Sequence, residues 1–545
     1  MGLAKSRGLN PRKLAGDVVA RLDLSGICES VEVAGAGFLN FRLSKGRLAE
    51  TLSEAIRGEH LFFDRENAGR NIVVDFSSPN VAKPMHVGHI RSTGIGDALQ
   101  RAFRLLGHSV ITDNHIGDWG TQFGKLLLGW KEMLDRSALA TDAIAELERL
   151  YKVINAQCDA DAGRLEAARA ELVKLQAGDP ENLGIWGEMV SLSQVQFDAL
   201  YGRLGVRFDK VLGESFYNPF LAGVVADLLA CGMARESAGA VAVFSDGQLP
   251  PREDPFLVNK EGEWVDDPAL IRKSDGGYNY MTTDLATLDY RISQWSPSEI
   301  IYVVDDRQTS HFKKLFSIYR RWKPEQAKTV RLVHVGFGKI MGDDGRPFRT
   351  RSGDTVRLRD LLDEAQERAR KLVDAKSPEL EEHQRAEIAR VVGVGAVKYA
   401  DLLPNRQSDY VFNWEKMLAL QGNTAPYLMY AYARIRSIFR KLDGGWKPGE
   451  LAPFILDAPE EIALASYLIN FGLTLEAVAE EYRPNFLCNY LFELAGKFTS
   501  FYEQCPVLKA EDPQIRLSRL HLCELTARVL KTGLETLGIG VVEQM

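Results

Sequence analysis

The residues with the clearest chemical potential lie in the stretch SSPNVAKPMHVGHI, residues 77–90. His86 and His89 are three positions apart, so both side chains face the same side of a first helical turn. Gly88 between them has no side chain, which lets a flat adenine ring or a phosphate approach the backbone. A helix start also presents unpaired N–H groups and the positive end of its dipole to an anion. The pattern predicts a site for a nucleoside triphosphate.

Two neighbouring segments must position this stretch. A strand-like apolar run (72–76) precedes it and a helix-like run (90–106) follows, which places the loop at the carboxyl end of a strand. Open α/β sheets bind nucleotides at that edge. Taken alone, two histidines at this spacing are equally compatible with side chains bonded to nearby backbone. A zinc site is not favoured, because no third ligand of matching spacing lies nearby and none of the six cysteines forms a C-x-x-C pair.

The whole string resembles the His-Ile-Gly-His signature of class I aminoacyl-tRNA synthetases. Its longer form, SSPNVAKPMHVGHIRSTGIGDAL, is similar to the arginyl-tRNA synthetase version. The resemblance implies ATP, Mg²⁺ without a dedicated protein metal site, L-arginine and the arginine tRNA. It implies ATP-dependent formation of arginyl-adenylate, then transfer to the tRNA 3′ end, with activation waiting for bound tRNA. His86, Gly88 and His89 are then expected to bind ATP. The two histidines and Lys83 are expected to be catalytic through the charge developing on the phosphates. Lys83 taken alone could be a surface lysine, but its place directly before Pro84 makes that alternative less favoured.

A second phosphate clamp is expected in the polar loop GDDGRPFRTRSGD, residues 342–354. It resembles the degenerate Lys-Met-Ser-Lys-Ser loop of arginyl enzymes, with Arg349 where lysine is commoner. The resemblance implies catalytic roles for Arg349 and Arg351, and ATP contacts from Thr350 and Ser352. Arginine keeps the charge of lysine but presents a planar fork. The alternative is a solvated basic loop without a ligand.

Recognition of a guanidinium requires carboxylates, because only an acid accepts its paired donors. Phrases similar to the family's arginine pocket supply six candidates: Ser78, Asn80, Glu214, Tyr280, Asp284 and Gln308. Tyr280 and Asp284 are four positions apart and share a helical face. Each acid alone is more often a surface charge or a helix cap. The Gly-rich run 113–124 is expected to form a tight turn on the pocket floor, with Gln122 as a candidate substrate contact.

A candidate RNA-binding segment lies at residues 424–441, where tyrosines alternate with cations and no carboxylate intervenes. Such segments suit unstacked bases and phosphates. The segment resembles the helical anticodon-binding domain of arginyl enzymes, as does the ending LGIGVVEQM. The tRNA-binding candidates are Tyr427, Tyr430, Arg434 and Arg436. The alternative is ordinary helix core, with Tyr427, Tyr430 and Ile438 at helical spacing.

The predicted fold class is α/β: a Rossmann-type parallel-sheet catalytic domain with a small α/β N-terminal module and an all-α C-terminal helical bundle. Strand candidates are residues 71–76, 109–113, 299–304 and 330–337, and alternation at 31–34 and 38–43 predicts half-buried strands. The expected boundaries are 1–65 for a tRNA-contacting module that looks shortened, 66–360 for the catalytic domain with a helical insertion at about 130–209, 361–423 for a helical connector and 424–545 for the bundle. The first module alternatively caps the fold without touching RNA.

Composition fits a cytoplasmic enzyme acting as a monomer. The hydrophobic fraction is 45% and the charged fraction 26%, both ordinary for globular chains, and the net charge is −7. No apolar run is seen that is long enough for a bilayer, and the six scattered cysteines fit a reducing compartment. Two rivals are a cysteinyl enzyme, which needs zinc-binding cysteines beside the nucleotide loop, and a catalytically inactive paralogue that binds tRNA or arginine.

Overall fold

The computed structural model describes residues 2–65, 69–342, 344–348, 355–442 and 453–545. Up to the end of the helical insertion, the elements in chain order are α1 (Gly2–Ser6), α2 (Pro11–Val19), β1 (Cys28–Ala34), β2 (Phe38–Leu43), α3 (Lys45–Ile56), β3 (Asn71–Asp75), α4 (Gly88–Leu105), β4 (Ser109–Asp113), α5 (Gln122–Met133), α6 (Arg136–Thr141), α7 (Ala143–Ala160), α8 (Ala162–Gln176) and α9 (Pro180–Leu204).

The remaining elements, with two 3₁₀ turns at Glu214–Tyr217 and Asp306–Gln308, are α10 (Asn218–Ala230), β5 (Ala234–Ser237), β6 (Ala240–Val243), β7 (Leu257–Lys260), β8 (Glu263–Asp266), β9 (Ala269–Arg272), α11 (Tyr280–Trp295), β10 (Glu299–Tyr302), α12 (Thr309–Trp322), α13 (Pro324–Thr329), β11 (Arg331–His334), β12 (Ile340–Met341), α14 (Leu358–Lys376), α15 (Glu382–Leu402), β13 (Tyr410–Val411), α16 (Trp414–Met417), α17 (Ala425–Arg440), α18 (Pro459–Leu468), α19 (Phe471–Glu481), α20 (Asn485–Gln504) and α21 (Pro513–Thr536).

The centre of the molecule is a parallel sheet of four strands in the order β11-β10-β3-β4. Ile300 of β10 pairs with Val73 of β3, which in turn pairs with Ile111 of β4. The strands are short and rich in buried β-branched residues, as expected of parallel strands covered on both faces. All four strand predictions for this sheet are confirmed. The loop at the carboxyl end of β3 carries Ser78, Asn80 and Lys83 and leads to His86 and His89.

The first module contains two strands where the alternation predicted them, but the predicted half-burial is wrong: no residue of β1 or β2 is buried, and Phe38 and Phe41 are 63% and 50% exposed. β1 and β2 pair antiparallel, and α2 begins with an Asn10 cap followed by Pro11. Gly37 between the strands has φ +114°, and a Cβ there would lie 2.7 Å from the carbonyl oxygen of Pro11. The hairpin therefore turns at a residue that only glycine suits.

A helical run follows β4 and begins at Gln122, earlier than the predicted start of about residue 130. After it the chain forms strands that the sequence did not predict: the antiparallel sheet β5-β6-β9 and the hairpin β7-β8. Each of these strands has four residues. Their short length leaves too few residues for a clear alternating pattern.

The C-terminal part is helical, as predicted, and packs on the half of the chain that contains the parallel sheet. Leu361, Leu362, Ala365 and Ala369 are buried, which confirms their core spacing. A single apolar cluster runs from α3 through α4 into α17–α21. The bundle is therefore continuous with the core behind the nucleotide loop.

One stretch departs from the expectation that no apolar run reaches membrane length. Residues Pro459–Glu481 are long and apolar enough by composition, with a mean hydropathy of 1.6 in their most apolar window, of which 44% is buried. They form α18 and α19, and Leu464, Leu468 and Phe471 lie fully buried in the bundle. A core helix of a globular protein passes the same test, so this is weak evidence for a membrane span.

Candidate active site

His86 and His89 stand side by side at the start of α4. Their ring centroids are 4.0 Å apart, and the backbone N–H of His86 donates to Nδ1 of His89 at 3.0 Å. A Cβ at Gly88 would lie 2.9 Å from Cε1 of His86, so glycine lets that ring fold against the backbone. Desolvation and the neighbouring His86 lower the pKa of His89 well below its usual value. The ring of His89 is therefore neutral at physiological pH and able to donate from only one nitrogen.

The expectation of unpaired N–H groups at this helix start is wrong for the first three residues of α4. The N–H of Gly88 donates to Nδ1 of His86 at 3.1 Å. The N–H groups of His89 and Ile90 donate to the carbonyls of His86 and Val87, at 2.9 and 3.1 Å. A tight first turn satisfies these donors internally. The side chains, rather than the amides, are then the groups that this turn offers to a phosphate.

Hydrogen bonds hold both ends of the basic loop, and its second end lies beside the signature histidines. On one side the N–H of Phe348 donates to Ile340 at 3.0 Å, and the Phe348 ring stacks on Phe412 at 4.5 Å. On the other side, the N–H of Val87 donates to Val356 and that of Leu358 to Met85, both at 2.9 Å. The clamp candidates between these anchors lie outside the described residues: Arg349, Thr350, Arg351 and Ser352.

Lys83 contacts the helical insertion. Its Nζ lies 5.0 Å above the ring of Tyr151 in α7. It lines a cavity of about 280 Å³ together with Arg203, Arg357 and Arg359. Three of these cations are balanced by carboxylates, for example Arg357 by Glu148 at 2.7 Å. The loop that carries Lys83 thus contacts the helical insertion through a cationic side chain.

Ser78 and Asn80 lie on the loop after β3, which is joined to the loop after β4. Ser78 has φ +47°; its N–H donates to Oδ1 of Asn114 at 3.0 Å and its Oγ donates to Asp75 at 3.1 Å. Asn80 pairs with Gly117, where a Cβ would lie 2.3 Å from the Asn80 Oδ1. These contacts hold the two loops in register at the sheet edge. Gln122 begins α5, and its contact with substrate stays a prediction.

Four of the arginine-pocket candidates come from three later elements. Asp284 and Tyr280 lie on the first turns of α11, and Nε2 of His311 in α12 contacts Oδ2 of Asp284 at 2.5 Å. The ring of Tyr280 is 61% exposed and lies 4.9 Å from the His311 ring. Gln308 ends the 3₁₀ turn just before α12. Asp284 and Tyr280 thus both lie beside His311, a residue that the sequence analysis did not identify as a candidate.

Glu214 begins the 3₁₀ turn Glu214–Tyr217 and completes the acidic group. Desolvation raises its pKa to about 7; His115 opposes this shift, and the charges of Asp284 and Asp118 add to it. A carboxylate that is costly to ionise and lies among other acids is a strong acceptor for a bound cation. The arrangement can therefore accept hydrogen bonds from a bound cation.

A fully buried arginine beneath the pocket was also missed from the sequence. Nη2 of Arg291 in α11 lies 2.7 Å from Asp75 and 2.9 Å from Asp113. These acids end two neighbouring parallel strands, β3 and β4, and Asp75 accepts from Ser78. Acids at adjacent strand ends were a usable signal, but Arg291 lies far away in the sequence, in α11 beyond the candidates Tyr280 and Asp284.

The RNA-binding candidates lie on α17, with mixed surroundings. Tyr430 is 45% exposed, whereas Tyr427 is half-buried beside Phe492. The guanidinium of Arg434 lies 4.7 Å above the ring of Tyr502. Arg436 is paired with Glu543 at 3.0 Å and with Glu524 at 3.5 Å. Of the residues that could form the core of this helix, Ile438 is buried, whereas Tyr430 is exposed.

Comparison with known proteins first defines the class. A family model described as "tRNA synthetases class I (R), catalytic domain" matches residues 51–414. The "DALR anticodon binding domain" model matches residues 428–545, and the "Arginyl tRNA synthetase N terminal domain" model matches residues 1–43. The chain is a class I aminoacyl-tRNA synthetase.

Individual relatives narrow the class. The chain is 46% identical to the arginine–tRNA ligase of Citrobacter koseri, over 100% of this chain and 92% of that protein. It is similar to the crystal structure of arginyl-tRNA synthetase from Plasmodium falciparum, with a TM-score of 0.80, 30% identity and coverage of 99% of this chain and 90% of that one. It is also similar to the structure of Thermus thermophilus arginyl-tRNA synthetase, with a TM-score of 0.82, 26% identity and coverage of 100% of this chain and 93% of that one. The chain belongs to the arginyl-tRNA synthetase family.

The family sets the reaction, and both rivals are excluded. The protein is an enzyme that ligates L-arginine to its tRNA at the expense of ATP. The predicted fold class is confirmed by the parallel sheet, the small first module and the helical anticodon-binding part.

Proposed function

We propose that the two halves of the carboxyl sheet edge divide the substrates between them. His86 and His89 after β3 receive the triphosphate of ATP. The acidic group formed by Glu214 of the 3₁₀ turn and Asp284 of α11 receives the arginine side chain. The observation that carries the proposal is this juxtaposition at one sheet edge: a neutral histidine pair on one loop and Glu214 with Asp284 facing each other on the other side.

In the arginine pocket, Glu214 and Asp284 are proposed to accept the guanidinium N–H donors, which match a carboxylate in pairs. Tyr280 lies over the same space and is proposed to cover the side chain. Ser78, Asn80 and Gln308 are proposed to hold the α-amino and carboxylate groups. Ser78 suits this role because Asp75 and Asn114 already fix its hydroxyl and its N–H.

In the ATP site, the arginine carboxylate attacks the α-phosphate and pyrophosphate leaves. Little covalent work falls to the protein, so the rate comes from alignment and from donors aimed at the developing charge. We propose that His86 and His89 donate from neutral rings and that Gly88 leaves room for the nucleotide. Lys83, Arg349 and Arg351 balance the pyrophosphate charge, and Thr350 and Ser352 bind phosphate oxygens. In the second step the tRNA 3′ hydroxyl attacks the adenylate carbonyl, and AMP leaves.

We propose that Mg²⁺ arrives on the nucleotide. Among the residues that the structure describes, no group of three or more histidine, cysteine, aspartate or glutamate side chains is arranged to hold a metal ion. Mg²⁺ commonly keeps several waters and binds through substrate phosphates. When bound, it would supply charge neutralisation for the phosphates.

We further propose that the tRNA anticodon arm contacts α17 through Tyr427, Tyr430, Arg434 and Arg436, and that the protein acts as a cytoplasmic monomer. Aromatic and guanidinium groups on one helix suit unstacked bases. The proposed units are 1–65, 66–360, 361–423 and 424–545, with the insertion at about 130–209.

The test compares Asp284→Asn and His89→Asn with the surface variant Glu253→Gln. Steady-state charging of tRNA with labelled arginine is measured over ranges of arginine and ATP. We expect Asp284→Asn to raise the KM for arginine by about 10–100-fold, the value of one charge-assisted hydrogen bond. His89→Asn is expected to lower kcat with the arginine KM nearly unchanged. An unchanged arginine KM in Asp284→Asn refutes the pocket assignment.

A further inference from the structure

We propose that Asp118 is a positioning residue for the arginine pocket: it fixes the turn that carries Glu214 and couples arginine binding to release of a proton. The inference rests on the proposed role of Glu214 as an acceptor for the guanidinium. Asp118 lies in the Gly-rich run 113–124, to which the sequence assigned only a tight turn.

The geometry places both oxygens of Asp118 on the residue after Glu214. Oδ1 accepts from the N–H of Ser215 at 2.8 Å and Oδ2 accepts from its hydroxyl at 2.6 Å. The carbonyl of Asp118 accepts from Nε1 of Trp186 in α9 at 2.7 Å. Asp118 is only 4% exposed. A buried residue whose carboxylate accepts two hydrogen bonds and whose main-chain carbonyl accepts a third is a rigid support for the turn.

Gly213 is required for this contact. A Cβ built on Gly213 would lie 2.3 Å from Oδ2, 2.4 Å from Cγ and 2.5 Å from Oδ1 of Asp118. Real Cβ atoms do not approach other atoms so closely. The glycine before Glu214 therefore lets the Asp118 carboxylate lie flat against the backbone. The neighbouring residue, Trp119, directs its N–H to the Glu214 carboxylate. Two consecutive residues of the run thus set the start of the 3₁₀ turn.

The groups that face Glu214 give Asp118 a second role. From the loop after β4 they are His115, whose Nδ1 contacts the carbonyl of Leu212 at 3.0 Å, and Asp118. From α11 the facing group is Asp284, which is itself bonded to His311 of α12. Acids that face one another in a desolvated pocket resist simultaneous ionisation. Because the pKa of Glu214 is raised to about 7, part of the protein carries a proton on this residue at neutral pH.

Arginine binding reverses this balance. The guanidinium accepts no proton and presents only donors, so it pairs with the ionised form of Glu214. The O–H bond of the Glu214 carboxyl breaks, its proton passes to the solvent buffer, and the carboxylate remains with the guanidinium. Each bound arginine is expected to release a fraction of a proton at pH 7; the release grows below this pH and falls away as the pH rises through about 7. The charge of Asp118 raises that pH, because it disfavours the ionised Glu214.

The experiment is calorimetric titration of the protein with L-arginine in buffers of different ionisation enthalpy, repeated between pH 5.5 and 8.5. Asp118→Asn preserves the shape and an acceptor for the Ser215 N–H but removes the charge. We expect it to weaken arginine binding and to lower the pH at which the release falls away by about 0.5 unit or more, as for one nearby charge in a partly shielded site. Glu214→Gln is expected to abolish the release.

The outcomes separate the two claims. If Glu214→Gln keeps the release and the affinity, the proposed pocket is wrong. If Glu214→Gln abolishes the release while Asp118→Asn leaves both affinity and pH of release at wild-type values, only the role of Asp118 is refuted. Ser215→Ala keeps the charge and removes one bond of the support. It is expected to weaken arginine binding severalfold, and unchanged binding refutes the positioning role even if Asp118→Asn does not fold.

Discussion

Glu214 and His89 respond in opposite directions to the same physical effect. Removal from water disfavours whichever form is charged, so it raises the pKa of the acid and lowers that of the imidazole. His89 is thereby a neutral donor over the whole physiological range. Glu214 instead changes its charge close to neutrality. The pH dependence of the enzyme between pH 6 and 8 is therefore expected to come from the amino-acid pocket.

The first prediction concerns that dependence. With a pKa of about 7 for Glu214, its ionised fraction increases as the pH rises from 6 to 8, and so should the affinity for arginine. The arginine KM is expected to fall over this range and then level off. In Glu214→Gln the KM should be about 10–100-fold higher and nearly independent of pH. Initial rates at several pH values measure both effects, and a KM that rises from pH 6 to 8 contradicts the assignment.

Single residues also set the limit of sequence reasoning. The spacing of the histidines and the phrases around Glu214 and Asp284 were sufficient to identify the candidates. Asp118 and Arg291 were not recognised, because their meaning depends on partners from distant segments. Gly213 was not recognised from the sequence either. A glycine directly before a pocket acid indicates that another group approaches the backbone closely.

At the scale of elements, Arg291 joins helix α11 to the carboxyl ends of β3 and β4. Its guanidinium is fully buried between Asp75 and Asp113, and the two aspartates raise its pKa against the desolvation that lowers it. Breaking such a pair from one side leaves uncompensated buried charge. The strands themselves were predictable because each is a β-branched run, whereas the link between them was not.

The second prediction is that Arg291→Met destabilises the protein by about 3–5 kcal/mol, since two buried carboxylates lose their counter-charge. Arg390→Met is the matched control: its i,i+3 pair with Glu387 is solvent-exposed and contributes about 0–1 kcal/mol. Denaturant unfolding followed by circular dichroism measures the difference. Equal losses in the two variants would show that the buried link is not stabilising.

The third prediction belongs to α17. Tyr430→Ala is expected to raise the KM for tRNA by about tenfold, the value of one stacked base, with the arginine and ATP parameters unchanged. Leu473→Ala serves as the control, because Leu473 is a 65% exposed apolar residue of the same bundle. Charging rates over a range of tRNA concentrations distinguish the two variants. A tRNA KM equal to that of Leu473→Ala argues that Tyr430 does not touch RNA.

At the scale of the whole molecule, the turn just after α21 lies against α4, the helix that begins at the signature histidines. Lys398 of α15 is fully buried, with Nζ at 3.0 Å from Asp97 of α4 and 2.9 Å from the carbonyl of Leu204. A Cβ on Gly538, just beyond α21, would lie 2.3 Å from both Asp97 Oδ2 and Lys398 Nζ. Arg101 reaches the carbonyl of Glu535 from the same face of α4. The catalytic helix and the anticodon-binding bundle therefore share one buried polar contact.

The fourth prediction uses two glycines with the same backbone conformation. Gly538 has φ +69° and Gly247 has φ +70°, but the space around Gly247 is open. Gly247→Ala is expected to cost about 1 kcal/mol, the strain of a left-handed residue. Gly538→Ala should cost about 2–4 kcal/mol, because overpacking adds to that strain. Thermal unfolding and charging activity are compared; similar losses in both would mean that the contact yields without cost.

The position of Gly538 has a consequence for the life of each new molecule. During synthesis the sheet and the helix that follows the signature loop leave the ribosome long before residues 537–542 exist. Until those residues arrive, Asp97 and Lys398 lack the backbone that covers them. A nascent chain stalled within α21 would thus hold every candidate residue of the arginine pocket, but the contact of Gly538 with Asp97 of α4 would still be missing.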